Sequence, residues 1–412
     1  MPKIDGARVL ADLNRLRDFG RYETGVHRPT YSAEHTASLL WLAGRAADAG
    51  LAPTIDGIGN VLCETSRPGG RILVGSHLES QNQAGWLDGP LGVIYALEAA
   101  RALAADPTTA HVPVDVVSFA DEEGHFGFFL GSRSLAGQVS EADIDAGQDR
   151  TRGTTLRDAL ATAGHAGKPR LRVPEGRYVG FLEAHIEQGD WLEANDLKIG
   201  VVTSIVGIWQ FRIVVEGVQN HAGTTRMAIR KDAGVALNRI IMALEARMPE
   251  VAGERSVWTT GRIALEPGAP SIIPGRAEML FQIRDADPET LERMEAAIHD
   301  VARAHDAKGP CRVMSECLRK SFPAVMDPRI QAAIERAAER HAPGKAVRMP
   351  SGAGHDAQIM STRMPAGMLF VPSIGGISHH WTENTSDDDI VLGAQVYADA
   401  VAAMADELGA GA

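Results

Sequence analysis

Hydrophobic positions in the first half of this chain follow helical and strand periodicity in turn, which predicts alternating helices and strands. The helical pattern covers residues 7–18, 32–49 and 91–105. Short apolar runs predict strands at 61–64, 72–74 and 114–120. Because helices and strands that alternate along a chain pack as layers, this half predicts an α/β fold.

The middle of the chain has a different pattern, which predicts a separate, smaller domain. Strands are expected at 210–216, 257–265 and 277–284, and helices at 232–247 and 288–304. We therefore predict that residues 210–324 form an α+β domain inserted into a larger domain of residues 1–209 and 325–412. Beyond the insert we expect a helix at 328–341 and a strand at 368–371, and we expect the Ala/Gly-rich end at 408–412 to fray.

Composition and charge narrow the class of protein. With 44% hydrophobic and 23% charged residues in 412, the chain has the composition of a globular protein with more than one domain. A net charge of −12 argues against nucleic acid or an anionic membrane as a partner. No apolar run approaches the roughly 18 residues that cross a bilayer, and the first residues lack the apolar core of a secretory signal. We therefore expect a cytoplasmic protein.

Candidate metal ligands follow the predicted strands. Three cysteines without CxxC spacing exclude a thiolate site, so imidazole and carboxylate would have to hold any metal. A lone histidine or an adjacent pair of acids is usually a surface feature, but the carboxyl ends of parallel strands meet at one edge of a sheet. The candidates at such ends, or in segments able to join them, are His77, Asp88, Glu122, Glu123, His185 and His379.

Longer motifs surround these candidates in a fixed order. They are GSHLES at 75–80, LDGPLGV at 87–93, DEEG at 121–124, GSRSLAG at 131–137, EAHIEQG at 183–189, HAGTTRMAIRKDA at 221–233, SGAGHDA at 351–357 and GGISHHWTE at 375–383. Over nearly its whole length the chain resembles the dinuclear-zinc amidohydrolases. That family includes N-carbamoyl-L-amino-acid hydrolases, beta-ureidopropionases and allantoate amidohydrolases, and is related to aminoacylases and di-zinc exopeptidases.

The resemblance implies two divalent metal ions per subunit. His77, Asp88, Glu123, His185 and His379 would hold them, with Asp88 as the bridge. Zinc is favoured, and the same donors accept manganese, cobalt or nickel. The metals would lower the pKa of a bridging water, and the resulting hydroxide would attack the substrate while Glu122 acts as general base. Only motif alignment selects His379 over its neighbour His380.

The resemblance also implies a fold and a set of substrate contacts. The expected fold is a zinc-exopeptidase-like catalytic domain, with a mixed sheet flanked by helices, plus an inserted ferredoxin-like dimerisation and lid domain. In a homodimer, His221 would donate to the oxyanion across the interface. Arg284 would clamp the substrate carboxylate, with Gln188, Gly354 and Ser271 completing the substrate site.

Four departures from the family pattern affect the expected substrate. Glu79 stands where an aspartate usually orients the metal-binding imidazole, Ser271 replaces an asparagine, and Arg226 replaces a proline. The segment 124–130 is also shorter than usual. We predict hydrolysis of a small N-carbamoyl or ureido amino acid. The alternatives are an aminoacylase or dipeptidase on the same scaffold and, from another class, a non-catalytic binding protein.

Overall fold

The computed structural model describes residues 1–411 and divides the chain into two compact units. The larger unit combines Met1–Thr203 with residues 325–411, and the smaller unit is Ser204–Ala324. The predicted boundary after residue 209 lies within Gly207–Glu216, which is an inner strand of the smaller unit's sheet. The chain therefore enters the smaller unit a few residues earlier than its sequence pattern indicates.

Helices and strands alternate along the described residues. The strands are β1 (Arg21–Tyr22), β2 (Gly25–Val26), β3 (Ala52–Ile55), β4 (Val61–Glu64), β5 (Arg71–His77), β6 (Val114–Phe119), β7 (Tyr178–Ile186), β8 (Ile199–Ile205), β9 (Gly207–Glu216), β10 (Asn220–His221), β11 (Val257–Glu266), β12 (Ile272–Ile273), β13 (Arg276–Asp285), β14 (Arg312–Lys320), β15 (Ala324–Val325), β16 (Ala346–Ser351) and β17 (Ala366–Val371). The α-helices are α1 (Gly6–Asp18), α2 (Ala33–Asp48), α3 (Pro90–Ala105), α4 (Leu130–Leu135), α5 (Glu141–Ala146), α6 (Leu156–Thr162), α7 (Trp191–Ala194), α8 (Ala233–Val251), α9 (Pro288–Lys308), α10 (Pro328–His341), α11 (Asp356–Met360) and α12 (Asp387–Leu408).

The larger unit is built on a mixed sheet. Its strand order is β15, β8, β17, β7, β5, β6, β4 and β3, with β16 paired to β8 at one side. Strands β17, β7, β5 and β6 are parallel, whereas β8, β4 and β3 join antiparallel. Apart from Arg71, the residues of β5 and β6 are buried. Their continuous apolar character is typical of central strands covered on both faces.

Helices pack against this sheet and contribute side chains to the hydrophobic core. Helix α3 contacts β5, β6 and β7, and also packs against α1 and α12. It is Ala-rich and buried around most of its circumference, as expected for a helix enclosed by other elements. Helix α3 begins at Pro90, directly after Gly89, whose φ of +85° is in the region that favours glycine. The metal-ligand candidate Asp88 therefore lies at a sharp entry into a well-packed helix.

The smaller unit is an α+β sandwich. Its four main strands are antiparallel in the order β11, β13, β9 and β14, and the chain runs β9, α8, β11, β13, α9, β14. Burial alternates along β13, so one face of the sheet packs against α8 and α9. Phe211, Phe281 and Leu244 lie in this core. The strands and helices predicted between residues 210 and 304 are confirmed, with ends that extend by a few residues.

The end of the chain is more ordered than its composition suggests. Ser386 caps α12 by accepting the Asp389 N–H. After the helix, the Ala410 N–H donates to the Ala405 carbonyl, and the Gly411 N–H donates to the Gly70 carbonyl, both at 2.9 Å. The expected fraying of 408–412 is therefore wrong for the described part, and Ala412 lies outside the described residues. No helix within residues 1–411 is both long and apolar enough to span a membrane.

Candidate active site

The predicted metal ligands converge at one edge of the large sheet. His77 is the last residue of β5, and His185 is the second-last residue of the parallel strand β7. Glu122 and Glu123 follow β6, which pairs in parallel with β5. Parallel strands carry their ends to the same edge, so these side chains meet although they are far apart in sequence.

Asp88 is the shared centre of two ligand groups. The first group is His77, Asp88 and His185, and the second is Asp88, Glu123 and His379. The Nε2 atoms of His185 and His77 lie 3.1 and 3.5 Å from Oδ1 of Asp88. The Nε2 atom of His379 lies 3.2 Å from Oδ2 of Asp88 and 3.7 Å from Oε2 of Glu123.

Two of the imidazoles are fixed in the tautomer that binds metals. The Nδ1 atom of His77 lies 3.2 Å from the Glu79 carbonyl, and Nδ1 of His185 lies 2.9 Å from the Ile186 carbonyl. A carbonyl can only accept, so each Nδ1 donates, and a neutral ring presents a lone pair at Nε2. Both Nε2 atoms face Oδ1 of Asp88. In a neutral ring Nε2 is an acceptor, as is the Asp88 carboxylate, so the two would face each other favourably only across a cation. These residues therefore fit as ligands of a metal ion.

The electrostatics of the site indicate the same need for positive charge. Burial raises the pKa of Asp88, but His185, His379 and His77 outweigh it and hold this pKa well below its usual range. Burial alone would lower the pKa of His77, yet the charges of Glu122 and Asp88 raise it well above its ordinary value. The carboxylates therefore attract positive charge strongly, whether as protons on imidazole or as metal ions.

Glu122 lies beside the ligand groups. Its Oε2 is 3.7 Å from Nε2 of His77, and the residue is 8% exposed. Burial raises the pKa of Glu122 well above its ordinary value, and the charges of Glu123, Asp356 and Asp88 add to this effect while His77 opposes it. A carboxylate whose pKa is raised in this way accepts a proton more readily than an exposed one, which suits a general base.

Three residues of this region have left-handed backbone conformations. The φ angles are +59° for Asp121, +59° for Gln188 and +55° for His379. Such conformations are uncommon for residues other than glycine and persist where surrounding contacts enforce them. Strain of this kind often concentrates at functional sites, which agrees with the contacts of Gln188 and His379 to Asp88 and with the position of Asp121 directly before Glu122.

Glu79 stands where the family pattern has an aspartate that orients the metal-binding imidazole. In the structure, the Glu79 Oε1 atom is 3.8 Å from Nδ1 of His77, farther than the Glu79 carbonyl. Instead, Oε1 accepts the N–H of Glu122 at 2.5 Å. The Glu79 carboxylate therefore binds the neighbouring turn, while the Glu79 carbonyl faces Nδ1 of His77.

Two of the predicted substrate contacts lie in the larger unit. The Nε2 atom of Gln188 donates to Oδ2 of Asp88 at 2.9 Å and to the Ser378 hydroxyl at 3.1 Å, so Gln188 also supports a ligand. Its Oε1 has no hydrogen-bond partner within the described chain. Gly354 is close to the Phe129 ring, since a Cβ atom at position 354 would lie 2.7 Å from that ring.

The other three predicted contacts lie in the smaller unit. The Nδ1 atom of His221 accepts the N–H groups of Gly223 and Thr224 at 3.0 and 3.1 Å, which leaves Nε2 as an N–H donor. The side chain of His221 is exposed, and Ser271 is its neighbour through a hydrogen bond from the Ala222 N–H to the Ser271 carbonyl. Arg284 is partly buried on β13, and its Nε donates to Gln282 at 2.8 Å.

Sequence reasoning missed Glu383, which connects two ligand-bearing loops. Its Oε1 accepts the Asp88 N–H at 3.1 Å, and its Oε2 accepts the Ser378 hydroxyl at 3.1 Å. Glu383 is 1% exposed, and burial raises its pKa to about 8. Glu383 is the last residue of the GGISHHWTE motif, so the motif contained the signal although the role of the residue was not evident.

Gln81 was missed as well. Its side-chain amide donates to Oε2 of Glu123 at 2.5 Å, and its backbone N–H donates to Oε1 of Glu123 at 3.2 Å. Arg150 donates to Oε1 of Gln81 and, at 3.1 Å, to the Glu123 carbonyl. Gln81 directly follows the GSHLES motif, but nothing in the sequence indicates that Arg150 joins it.

Comparison with known proteins supports the resemblance indicated by the motifs. The model of peptidase family M20/M25/M40 matches residues 72–403. The chain is 32% identical to an N-carbamoyl-L-amino acid amidohydrolase of Geobacillus stearothermophilus, over 95% of this chain and 97% of that protein. It is 35% identical to the allantoate amidohydrolase of Bacillus subtilis, over 91% of this chain and 92% of that protein.

A solved structure shows the same architecture. The chain is similar to an amidase of the hydantoinase/carbamoylase family from Burkholderia phymatum, with a TM-score of 0.89 and 44% identity over 99% of both chains. These similarities confirm the family resemblance and the α/β fold class with its large mixed sheet flanked by helices.

Proposed function

The chain belongs to peptidase family M20/M25/M40, and from this membership we propose that it is an amidohydrolase that cleaves the linear C–N bond of a small N-carbamoyl or ureido amino acid. Enzymes of this family are metal-dependent, and the candidate ligand groups around Asp88 agree with that property. Named relatives act on carbon–nitrogen bonds that are not peptide bonds, which supports the same class of hydrolase here.

The five ligand candidates would hold two divalent ions, with Asp88 shared between them: His77, Asp88, Glu123, His185 and His379. When bound, such ions, with zinc favoured over manganese, cobalt or nickel, would acidify water and polarise the carbonyl of the substrate. Gln188 and Glu383 would keep Asp88 in place, because each makes a hydrogen bond to its side chain or its backbone.

Glu122 would move the proton of the reaction. Its carboxylate takes a proton from the attacking water, whose oxygen forms a bond to the carbonyl carbon, and returns the proton to the leaving nitrogen as the C–N bond breaks. The raised pKa of Glu122, which burial causes, makes it a stronger base than an exposed glutamate. The amino acid leaves as the free amine, and a carbamoyl group would yield carbon dioxide and ammonia.

The smaller unit would complete the substrate site. His221 presents an Nε2–H, as a donor to an oxyanion requires, and Arg284 supplies a guanidinium suited to a substrate carboxylate. We propose that these residues act in a homodimer, with His221 serving the site of the partner subunit. Gln188, Gly354 and Ser271 would provide further polar contacts to the substrate.

The observation that carries this proposal is the pair of Nε2 atoms, from His77 and His185, that face Asp88 while each Nδ1 donates to a backbone carbonyl, with Glu122 beside them. The test supplies the apoprotein with defined metals and offers the N-carbamoyl, N-acetyl and dipeptide forms of one amino acid, together with allantoate. We expect ammonia release from the carbamoyl or ureido compounds. Hydrolysis of only the acetyl or dipeptide form would instead identify an aminoacylase or dipeptidase.

Replacement of Glu122 tests the proton transfer separately. For Glu122→Gln we expect kcat to fall by about a hundredfold or more, because the amide cannot accept the proton of water. Zinc content should remain as in the wild type, since Glu122 is outside both ligand groups. A variant that keeps full turnover would exclude Glu122 as the general base.

A further inference from the structure

We infer that Glu79 is a positioning residue, which holds the general base Glu122 through the backbone of Glu122, and that the buried His35 holds Glu79 in this role. The inference rests on the proposed function, because it takes Glu122 to be the residue that moves the proton. It assigns to the Glu79 side chain a task other than orienting His77.

One oxygen of Glu79 fixes the turn that carries Glu122. Glu79 is fully buried, and its Oε1 accepts the Glu122 N–H at 2.5 Å. This turn follows Asp121, whose φ of +59° is unusual for a residue with a side chain. The carboxylate of Asp121 accepts the N–H groups of His125 and Gly127, each at 2.8 Å. Two buried carboxylates therefore hold a strained turn, one on each side of Glu122.

The other oxygen of Glu79 faces His35. The distance from Oε2 of Glu79 to Nε2 of His35 is 3.7 Å, and His35 is also fully buried. The Nδ1 atom of His35 accepts the Tyr31 N–H at 3.1 Å, so the proton of the neutral ring is on Nε2 and points towards Glu79. The two atoms therefore face each other, and neither makes a hydrogen bond elsewhere in the described chain.

The backbone on both sides of Glu79 is held by Arg28, which is fully buried. The Arg28 side chain donates through Nε to the Leu78 carbonyl at 2.7 Å. The Arg28 N–H donates to the Ser80 hydroxyl at 3.1 Å, and the Ser80 N–H donates to the Arg28 carbonyl at 3.0 Å. The origin of the Glu79 side chain is therefore fixed, and its length determines which groups it reaches.

Residue 79 could either orient His77 or hold the Glu122 N–H, and the length of its side chain distinguishes these two roles. The hydrogen bond from Nδ1 of His77 goes to the Glu79 carbonyl, which any residue at this position would supply. An aspartate would be shorter by one methylene, or roughly 1.5 Å of reach. It could not hold the Glu122 N–H and face His35 from the same backbone position. Shortening residue 79 should therefore impair turnover without impairing metal binding.

The experiment compares Glu79→Asp with Glu79→Gln in the full-length protein. We measure kcat and KM on the best carbamoyl or ureido substrate, and zinc affinity by titration of the apoprotein. For Glu79→Asp we expect kcat to fall by about tenfold to a hundredfold, because a displaced base transfers protons poorly. KM and zinc affinity should stay at their wild-type values. Glu79→Gln keeps the length and an accepting oxygen, so it should retain more activity than Glu79→Asp.

If variants at position 79 do not fold, variants of His35 test the same inference. We expect His35→Ala to lower kcat, and His35→Gln, which keeps a donor near the Nε2 position, to restore part of it. In the Glu79→Asp background, His35→Ala should cause little further loss, because residues that act through one contact are not additive. Glu34→Gln, at an exposed acid of the same helix, is the control and should leave kcat unchanged.

Two results would overturn the inference: full kcat in Glu79→Asp, or a loss of zinc affinity in proportion to the loss of kcat, which would show that the side chain acts through His77. Wild type and Glu122→Gln are assayed in parallel. An inactive wild type would contradict the proposed function itself. An active wild type with impaired zinc binding in the Glu79 variants would contradict only this inference.

Discussion

At the scale of single residues, Asp88 is the residue that both ligand groups share. Both of its oxygens face imidazole nitrogens, its backbone N–H is bound by Glu383, and its Oδ2 accepts from Gln188. A buried carboxylate is costly unless its partners are satisfied, so these contacts are what allow Asp88 to remain ionised at a buried position.

The adjacent pair His379 and His380 gives a matched test of the ligand assignment. We expect His379→Ala to weaken zinc binding by about tenfold or more, because its Nε2 faces Asp88 and Glu123. His380→Ala should bind zinc as the wild type does, since the described contact of its Nδ1 is with the exposed Thr382. Zinc titration of both apoproteins decides the assignment, and equal losses would contradict it.

Glu383 offers a test of ligand support at the same scale. Glu383→Ala removes the acceptor for the Asp88 N–H and the Ser378 hydroxyl, so we expect zinc affinity to fall by about tenfold to a hundredfold. Glu383→Gln keeps the size and one accepting oxygen and should remain closer to the wild type. Zinc titration is again the measurement, and an unchanged affinity in Glu383→Ala would show that the two loops keep their positions without this residue.

At the scale of elements, the site depends on the close pairing of parallel strands. The register of β5 and β6 places Gly75 beside Val117 and His77 beside Phe119, and the positions of the ligands follow from that pairing. A Cβ atom at Gly75 would lie 1.9 Å from the Val117 carbonyl oxygen, closer than any real contact. Glycine at position 75 is therefore a condition for bringing His77 to the sheet edge.

Gly75→Ala should consequently affect both stability and metal binding. We expect the free energy of unfolding to fall by about 2 kcal/mol or more, because the strands must separate to admit the methyl group. Zinc affinity should fall with it. Gly44→Ala is the control, because that helical position has open space around it. Alanine is more favourable than glycine within a helix by about 0.5 to 1 kcal/mol, so this variant should not be less stable than the wild type. Urea unfolding of both variants is the measurement. An unchanged free energy of unfolding in Gly75→Ala would contradict this prediction.

At the scale of the whole molecule, the two compact units divide the proposed functions. The larger unit contains the ligand candidates and Glu122, whereas the smaller unit contains His221, Ser271 and Arg284. In the proposed dimer, a residue of one chain serves the site of the other, so activity depends on association as well as on folding.

Mixing of two inactive variants tests the proposed dimer. Glu122→Gln and His221→Ala should each be nearly inactive alone. If His221 serves the partner's site, subunit exchange in a mixture should restore about a quarter of wild-type activity at equal amounts, because half of the molecules become heterodimers with one intact site. A mixture without activity, although exchange is shown by differently tagged chains, would place His221 in the site of its own chain.

Acid stability of the molecule should depend on His165. Its ring is 3% exposed and lacks hydrogen-bond partners within residues 1–411, and burial, with a smaller effect of Lys168, lowers its pKa to about 4. Unfolded histidine binds a proton near pH 6.5, so between pH 6.5 and 4 the unfolded state binds more protons, and the folded state loses stability as pH falls.

We therefore expect the wild type to lose about 1 to 2 kcal/mol more than His165→Leu when pH falls from 7 to 5. Leucine leaves no unpaired polar atom in this cluster, so the comparison isolates the titration. Urea unfolding of both proteins at the two pH values is the measurement. Equal losses would show that His165 does not contribute to acid sensitivity.

The sequence predicted much of this protein because local patterns report local burial. Continuous apolar runs located β5 and β6, alternation located β9 and β13, and the ends of the strands located His77 and Glu122. The motifs around the ligand candidates match the pattern of a single family, the dinuclear-zinc amidohydrolases. Imidazole and carboxylate without paired thiolates also limited the chemistry to a small class, since donor type alone restricts the metals that bind.

Only the tertiary structure decided which groups these residues contact. Glu79 reaches the backbone of Glu122, which lies 43 positions away, and Glu383 reaches the backbone of Asp88, 295 positions away. Gln188 binds Asp88, and the smaller unit begins at Ser204 and not after residue 209. Periodicity records whether a side chain is buried, but the direction of a buried polar group depends on distant segments that packing brings beside it.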